Sequence, residues 1–193
     1  MSEELRDRKM TFKALSPESW RDFEKLFGKR GACGGCWCMA WRLKPSQFKT
    51  QKGEENRKAM RALVDSGEVP GIICFFGGEP IGWCSISPRE KYIRLESSRI
   101  LKRIDDKPVW SISCFFVDRA FRGRGVCVEL IRGAVEYAKR CGALIVEGYP
   151  TDVKGKTLPD PFVWTGVASA FVKAGFVIAA RRSEKRPVMR YYI

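Results

Sequence analysis

The segment Val117-Asp118-Arg119-Ala120-Phe121-Arg122-Gly123-Arg124-Gly125-Val126-Cys127 gathers the residue types that bind an anion. Glycine lets the backbone approach a ligand closely and adopt positive φ. Free N–H groups at the start of a helix, aided by the helix dipole, hold negative charge. Arg122 and Arg124 add guanidinium groups at the same place. A strand, a basic glycine-rich turn and a helix therefore form a cradle for a pyrophosphate. Two other phosphate motifs do not fit. A P-loop requires G-x-x-x-x-G-K-[ST], and no Lys-Ser or Lys-Thr follows these glycines. The dinucleotide fingerprint requires a third glycine where Val128 stands. A purely structural use, in which Gly123 and Gly125 only tighten the turn, draws on the same residues.

The chain has eight cysteines and no histidine. The missing histidine excludes Ser-His-Asp and Cys-His catalysis and histidine-containing zinc sites. A base working near neutral pH is then a carboxylate, a tuned Lys, Cys or Tyr, or water. Cys33-Gly34-Gly35-Cys36-Trp37-Cys38 places three thiols close together. They could bind a soft metal, with a fourth ligand from Cys74, Cys84, Cys114, Cys127 or Cys141. They could equally form a redox-active pair, or pack as small core residues. No second C-x-x-C at finger-like spacing accompanies them, so no metal site is assigned.

These residues need elements to hold them. Val109–Val117 is apolar at nearly every position and rich in aromatic and β-branched residues, as a central strand buried on both faces would be. After the glycine turn, Cys127, Leu130, Ile131, Ala134, Val135 and Ala138 recur at helical spacing up to about Arg140, and Gly142 ends that helix. Ala143–Tyr149 reads as the next strand. Upstream, Met10–Leu15 reads as a strand. Ser16 as cap and Pro17 at the first turn open a helix carrying Trp20, Phe23 and Phe27, which the glycines of 31–35 break. Glu54–Val64 is a second helix. Gly71–Phe76 and Ile81–Ser87 form a hairpin across Gly77-Gly78-Glu79-Pro80. The stretch 89–108 reads as irregular, with a helical turn near Ser97–Leu101. Thr151–Pro161 is a loop, Phe162–Ala174 a helix stopped by Gly175, and Phe176–Arg182 and Val188–Ile193 the closing strands. The order predicts a single mixed α/β sheet in one domain over residues 1–193.

A chain of 193 residues with 45% hydrophobic content can bury one α/β core. The apolar runs are too short to span a bilayer, so no membrane is expected. The charged N-terminus lacks an apolar signal region, which makes a cytoplasmic location the expectation. The formal net charge of +14 favours polyanionic partners. The cations are spread along the chain, and no recognition-helix or RNA-binding signature accompanies them, so nucleic acid is not the expected partner.

Arg122-Gly123-Arg124-Gly125-Val126-Cys127 resembles the Arg/Gln-x-x-Gly-x-Gly/Ala loop of the GNAT superfamily, with Cys127 in place of Gly or Ala. Val117-Asp118 before the loop and Phe171-Val172-Lys173-Ala174-Gly175-Phe176 after it resemble the same family, so the likeness runs over about residues 109–182. It implies a mixed, mostly antiparallel sheet flanked by helices and splayed between its two central strands. It implies acetyl-CoA, or another acyl-CoA, as co-substrate. The backbone of Phe115, Phe116 and Val117 would pair with the pantetheine arm, and Arg122, Gly123, Arg124, Gly125, Val126 and Cys127 would hold the pyrophosphate.

The resemblance further implies transfer of an acetyl or short acyl group to a primary amine by direct attack in a ternary complex. The acceptor would be a small molecule or a peptide. The alternative is an acyl-CoA-sensing module with little turnover. The family's frequent Tyr before the Gly-Phe pair is Phe171 here, and a frequent Asn seven residues earlier is Trp164. Tyr149 is then the substitute acid, and Glu147, on the same strand face, is the candidate base; a Glu147 paired with an arginine is the alternative. Trp37 and Trp41 lie where the family often walls its acceptor site. Homodimers are common in the family, and no residue here marks an interface.

Overall fold

The computed structural model describes residues 9–155, 159 and 162–193. The chain enters through β1 (Thr11–Ala14) and α1 (Trp20–Phe27). The helix starts later than a Ser16 cap implies. Ser19 Oγ accepts the Ser16 N–H at 2.9 Å and donates to the Ala14 carbonyl at 3.0 Å, so 16–19 form a turn of their own. Two helices follow, α2 (Pro45–Thr50) and α3 (Glu54–Asp65). The first was not expected from periodicity; it is short and has Pro45 in its first turn, where the missing N–H costs nothing.

The hairpin forms as the sequence predicts. β2 (Gly71–Phe76) and β3 (Glu79–Pro88) are joined at Gly77 and Gly78, whose φ values of 58 and 84 suit a primed turn. The helical turn expected near Ser97–Leu101 lies earlier, as α4 (Ile93–Glu96). β4 (Trp110–Val117), α5 (Val126–Arg140) and β5 (Ile145–Gly148) then make a parallel crossover. The helix predicted over 162–174 is only α6 (Ala168–Lys173). Gly166, at φ 82, donates its N–H to the Val163 carbonyl at 2.8 Å, and Val167 bridges to Thr151, so the residues before α6 form a turn rather than a helix. Some of the Thr151–Pro161 loop lies outside the described residues. β6 (Val177–Ala180) and β7 (Val188–Tyr192) close the sheet.

The seven strands are ordered β1-β2-β3-β4-β5-β7-β6, antiparallel except at β4–β5. One face is covered by α5 and α6, through Leu130, Ile131, Val135 and Phe171 over Ile72, Cys84 and Ile112. The other is covered by α1 and α3, through Phe23, Phe27 and Met60 over Ile73, Trp83 and Cys114. Each such side chain taken out of water contributes roughly 1.5–3 kcal/mol.

Two irregularities in β4 shape the centre of the sheet. Its pairing with β5 stops at Ile112 and Gly148, while β4 runs on to Val117, so the two central strands part. Its pairing with β3 steps from Ser85↔Cys114 to Ile86↔Ile112, which leaves Ser113 as an extra, bulged residue. The bulge breaks the in–out alternation. Ile112 faces the α5 side, whereas Cys114 packs with the α1 and α3 cluster. Among the described residues no helix is long and apolar enough to cross a membrane.

Candidate active site

The glycine-rich turn joins β4 to α5 through a short helical turn at Arg119–Phe121. Asp118 caps that turn, its Oδ1 accepting the Ala120 N–H at 2.8 Å. Gly123 and Gly125 take φ values of 71 and 82, and a Cβ on either would meet open space. The reason for glycine here is therefore backbone conformation and access rather than crowding. Among the described residues no backbone acceptor takes the N–H of Gly123, Arg124, Gly125, Val126 or Cys127, whereas Val128 N–H already reaches the Gly125 carbonyl at 2.9 Å. The result is a run of exposed donors at the positive end of a 15-residue helix. Arg122 Nε donates to the Val117 carbonyl at 2.9 Å, which ties the loop to the end of β4. The Arg124 guanidinium stands 5.9 Å from the Phe121 ring centroid. Burial pushes the Cys127 thiol up to about 12, so it meets this anion site as a neutral group.

The donors open into a cavity of about 880 Å³ that continues along the outer half of β4. The loop end is formed by Phe121, Arg122, Gly123, Gly125, Val126 and Cys127, and its walls by Phe115, Phe116 and Val117 with Val167, Ser169 and Lys173. The far end is formed by Trp41, Trp164, Phe48, Arg94, Cys33, Cys36, Cys38 and Cys114. Among the described lining residues none is Asp or Glu. Trp41 and Trp164 lie 5.7 Å apart, and the Arg94 guanidinium sits 5.4 Å from the Trp41 ring while donating to the Ala40 carbonyl at 2.8 Å.

The gap between β4 and β5 is partly closed by the chain itself. Phe115 N–H donates to the Trp164 carbonyl at 2.7 Å. The pairing expected from Phe115 is thus already taken at its N–H. Because antiparallel residues alternate in the side to which their backbone groups point, Val117 faces the same open edge two residues on. Phe116 contributes its ring, 5.4 Å from Phe27.

Two expected catalytic residues are not at this cavity. Glu147 and Tyr149 are 1% and 0% exposed and absent from its lining. Arg190 Nε donates to Glu147 Oε1 at 2.8 Å, and Arg89 Nη1 reaches Oε2 at 3.3 Å. The Tyr149 hydroxyl donates to the same Oε2 at 2.7 Å and accepts from Arg89 at 2.7 Å. Burial foremost, and then the Glu147 charge, push the Tyr149 phenol well up. This network is closed: its carboxylate faces two guanidiniums and its phenol proton is already placed. The assignments of base to Glu147 and acid to Tyr149 are corrected accordingly.

Trp37 is corrected as well. It is 5% exposed and stacks on Phe27 at 5.7 Å and 17°, sealing the core beside the cavity. Trp41 does line the cavity. Phe171 is buried against Gly148, Gly166 and Phe115 and does not line it. All eight cysteines are free thiols, and among the described residues no group of three or more Cys, Asp or Glu could hold a metal ion. The sequence marked the Cys33–Cys38 cluster and offered Cys114 only as one of five partners; that it packs with Cys38 depends on the β4 bulge, which leaves no local signal.

The fold is shared with solved acetyltransferases. A GNAT family acetyltransferase from Listeria monocytogenes superposes with a TM-score of 0.58, at 11% identity over 95% of both chains. The aminoglycoside acetyltransferase AAC(6')-Ib in complex with coenzyme A and kanamycin superposes with a TM-score of 0.54, at 14% identity over 95% of both chains. An uncharacterised N-acetyltransferase of Methanocaldococcus jannaschii is 35% identical over 85 residues, which are 44% of this chain and 33% of that relative. The match therefore spans about a third of the relative's length. The model of the acetyltransferase (GNAT) family matches residues 36–153, more than half of the chain and both the thiol segment's end and the whole of the anion loop, so the protein belongs to the GNAT family of acetyltransferases.

Proposed function

We propose that the protein transfers an acetyl or short acyl group from acyl-CoA to a primary amine, by direct attack within a ternary complex. The observation that carries this reading is the run of N–H groups from Gly123 to Cys127 with no backbone acceptor among the described residues, opening into a cavity that follows the parted edge of β4. The pyrophosphate sits on those N–H groups, with Arg122 and Arg124 beside it. The pantetheine arm runs along Phe115, Phe116 and Val117, with Val117 offering its N–H, since its carbonyl accepts from Arg122. The amine nitrogen attacks the thioester carbonyl; a C–N bond forms, the C–S bond breaks, and the CoA thiolate leaves. A thiolate with a pKa of about 8.5 leaves without a dedicated acid. Holding both reactants in one cavity supplies much of the acceleration.

The acceptor end supports a small amine with an apolar or aromatic body, packed against the Trp41 and Trp164 pair. A fixed cation at Arg94 and the lack of carboxylates among the described lining residues disfavour a polycationic acceptor. This separates the expected acceptor from kanamycin, which occupies the structural relative.

Calorimetric titration of the reduced protein with acetyl-CoA tests the reading. Micromolar binding is expected. Gly125→Val should weaken it by at least about tenfold while leaving the circular dichroism spectrum intact, because a β-branched residue cannot hold φ 82 and its side chain enters the phosphate space. Unchanged affinity in that variant would remove the loop assignment. Binding without thiol release across an amine panel would leave an acyl-CoA sensor.

A further inference from the structure

The cavity carries a second cluster that neither the pyrophosphate nor the pantetheine arm would use. Cys38 and Cys114 both line it, at the acceptor end beside Trp41. Neither arrives there by ordinary geometry. Cys114 is turned to this face by the bulge at Ser113. Cys38 has a φ of 58 and follows Trp37 at 40, left-handed values that residues other than glycine keep only where the surroundings fix them and that gather at functional sites. The two side chains pack in one buried cluster with Trp83, and the Cys114 thiol donates to the Phe115 carbonyl at 3.8 Å. The Trp83 indole N–H, from the floor of the sheet, donates to Cys38 Sγ at 3.1 Å.

Arg42 adds its charge nearby. Its side chain is 4% exposed, stacks 4.8 Å from the Tyr92 ring and lies 3.7 Å from Glu68. Ser85 is near Cys38 too, but its one proton is claimed by the Tyr92 oxygen at 3.0 Å and the Pro70 carbonyl at 3.3 Å, so the Trp83 indole is the dedicated donor.

We propose that Cys38 is the group that takes the proton from the acceptor amine, with Trp83, whose N–H donates to its sulfur, and Cys114, packed beside it, as positioning residues. The proposal rests on the acyl-transfer reading and supplies the base that reading lacks. The ammonium gives a proton to Cys38 Sγ and becomes a free amine. The nitrogen attacks the thioester carbonyl, the C–S bond breaks, and the Cys38 proton passes to the departing CoA sulfur, which restores the thiolate. The second proton of the attacking nitrogen leaves to water.

The surrounding charges agree with this role. Burial by itself raises the Cys38 thiol, but the neighbouring Cys114, Trp83 and Ser85 groups and the Arg42 charge overcome it and bring it below an ordinary thiol. Its titratable neighbours stay neutral. Cys114 is held well up by Cys38 beside it and by burial, Cys84 is raised by burial, Cys36 is pushed to about 11 by burial, and Tyr92 is raised by burial.

The test is the pH dependence of iodoacetamide labelling in the reduced full-length protein, read thiol by thiol by peptide mass mapping. Cys38 should titrate below N-acetylcysteine labelled in the same solution, and Cys114→Ala should move its midpoint upward. A Cys38 that stays unlabelled, or titrates with N-acetylcysteine or above it, overturns the proposal. A second arm follows thiol release from acetyl-CoA with a panel of aromatic and aliphatic amines. Cys38→Ser should lower kcat/KM by about 100-fold, the lower range for a lost general base, with acetyl-CoA affinity within about threefold. An unchanged kcat/KM, or an acetyl group recovered on Cys38, overturns the base role. Should Cys38→Ser fail to fold, the Cys114→Ala titration decides alone. Failure of the wild-type protein to bind acetyl-CoA would instead sink the acyl-transfer reading, whatever Cys38 shows.

Discussion

Glu147 shows how residue type and strand position mislead when the neighbours are unknown. Strand alternation put Glu147 and Tyr149 on one face, which is true. What they face is Arg89, 58 positions from Glu147 in sequence and with its side chain 1% exposed, and Arg190 at 3%. Removing the charge with Glu147→Gln leaves both guanidiniums undercompensated in a buried site. Arg89 keeps Glu96 at 2.8 Å and Arg190 keeps Asp105, so the loss is placed at the lower edge for a broken buried pair, about 3 kcal/mol. Urea denaturation measures it. A variant of native stability with no activity would return Glu147 to the catalytic site. The glycine turn between β4 and α5 was legible because its signal is local: two glycines set between a buried strand and a helical stripe.

At the scale of elements, the segment before α2 is built around one close contact. Gly31 has a φ of 61, and a Cβ there would stand 2.2 Å from Trp37 Nε1. The indole in turn stacks on Phe27 of α1, and the Gly35 carbonyl accepts from Gly53 N–H at 2.9 Å and Asn56 Nδ2 at 3.1 Å, which anchors the segment to α3. Gly31→Ala should therefore cost at least about 2 kcal/mol, from strained φ together with overpacking against a ring that cannot retreat. Chemical denaturation gives the loss, and near-ultraviolet circular dichroism should show Trp37 displaced; an unchanged spectrum and midpoint would mean the contact is loose. The same segment had no readable period, because its order comes from partners on α1 and α3. The helix expected over 162–174 failed for the same kind of reason. Residues 162–167 are mostly apolar but include the poor helix formers Val163, Thr165, Gly166 and Val167; the Trp164 carbonyl is taken by Phe115, and Gly166 lies against the Phe115 and Phe171 rings.

For the molecule as a whole, a net charge of +14 sets the conditions in which acidic side chains act. Asp105 is the marked case. Its hydrogen bonds to Arg190, at 2.6 and 2.9 Å, lower its carboxyl from 3.8 to about 2. A folded-state value below the unfolded one means that protonation favours unfolding. The contribution is present above 3.8 and disappears as pH falls to about 2. Asp105→Asn should flatten the fall of stability across that window, as read by thermal melts at stepped pH; an unaltered acid limb would show that other carboxylates govern it. The sequence by itself determined the glycine-rich turn, the buried strand before it, the amphipathic helix after it and the α/β class, since each depends on neighbours within one turn or one strand. Only the tertiary structure decided which polar groups reach the cavity. Burial, ion pairing and the meeting of Cys38 with Cys114 depend on how β4 bulges and parts from β5, and contacts between residues 76 positions apart are set by the packing of the whole sheet rather than by local pattern.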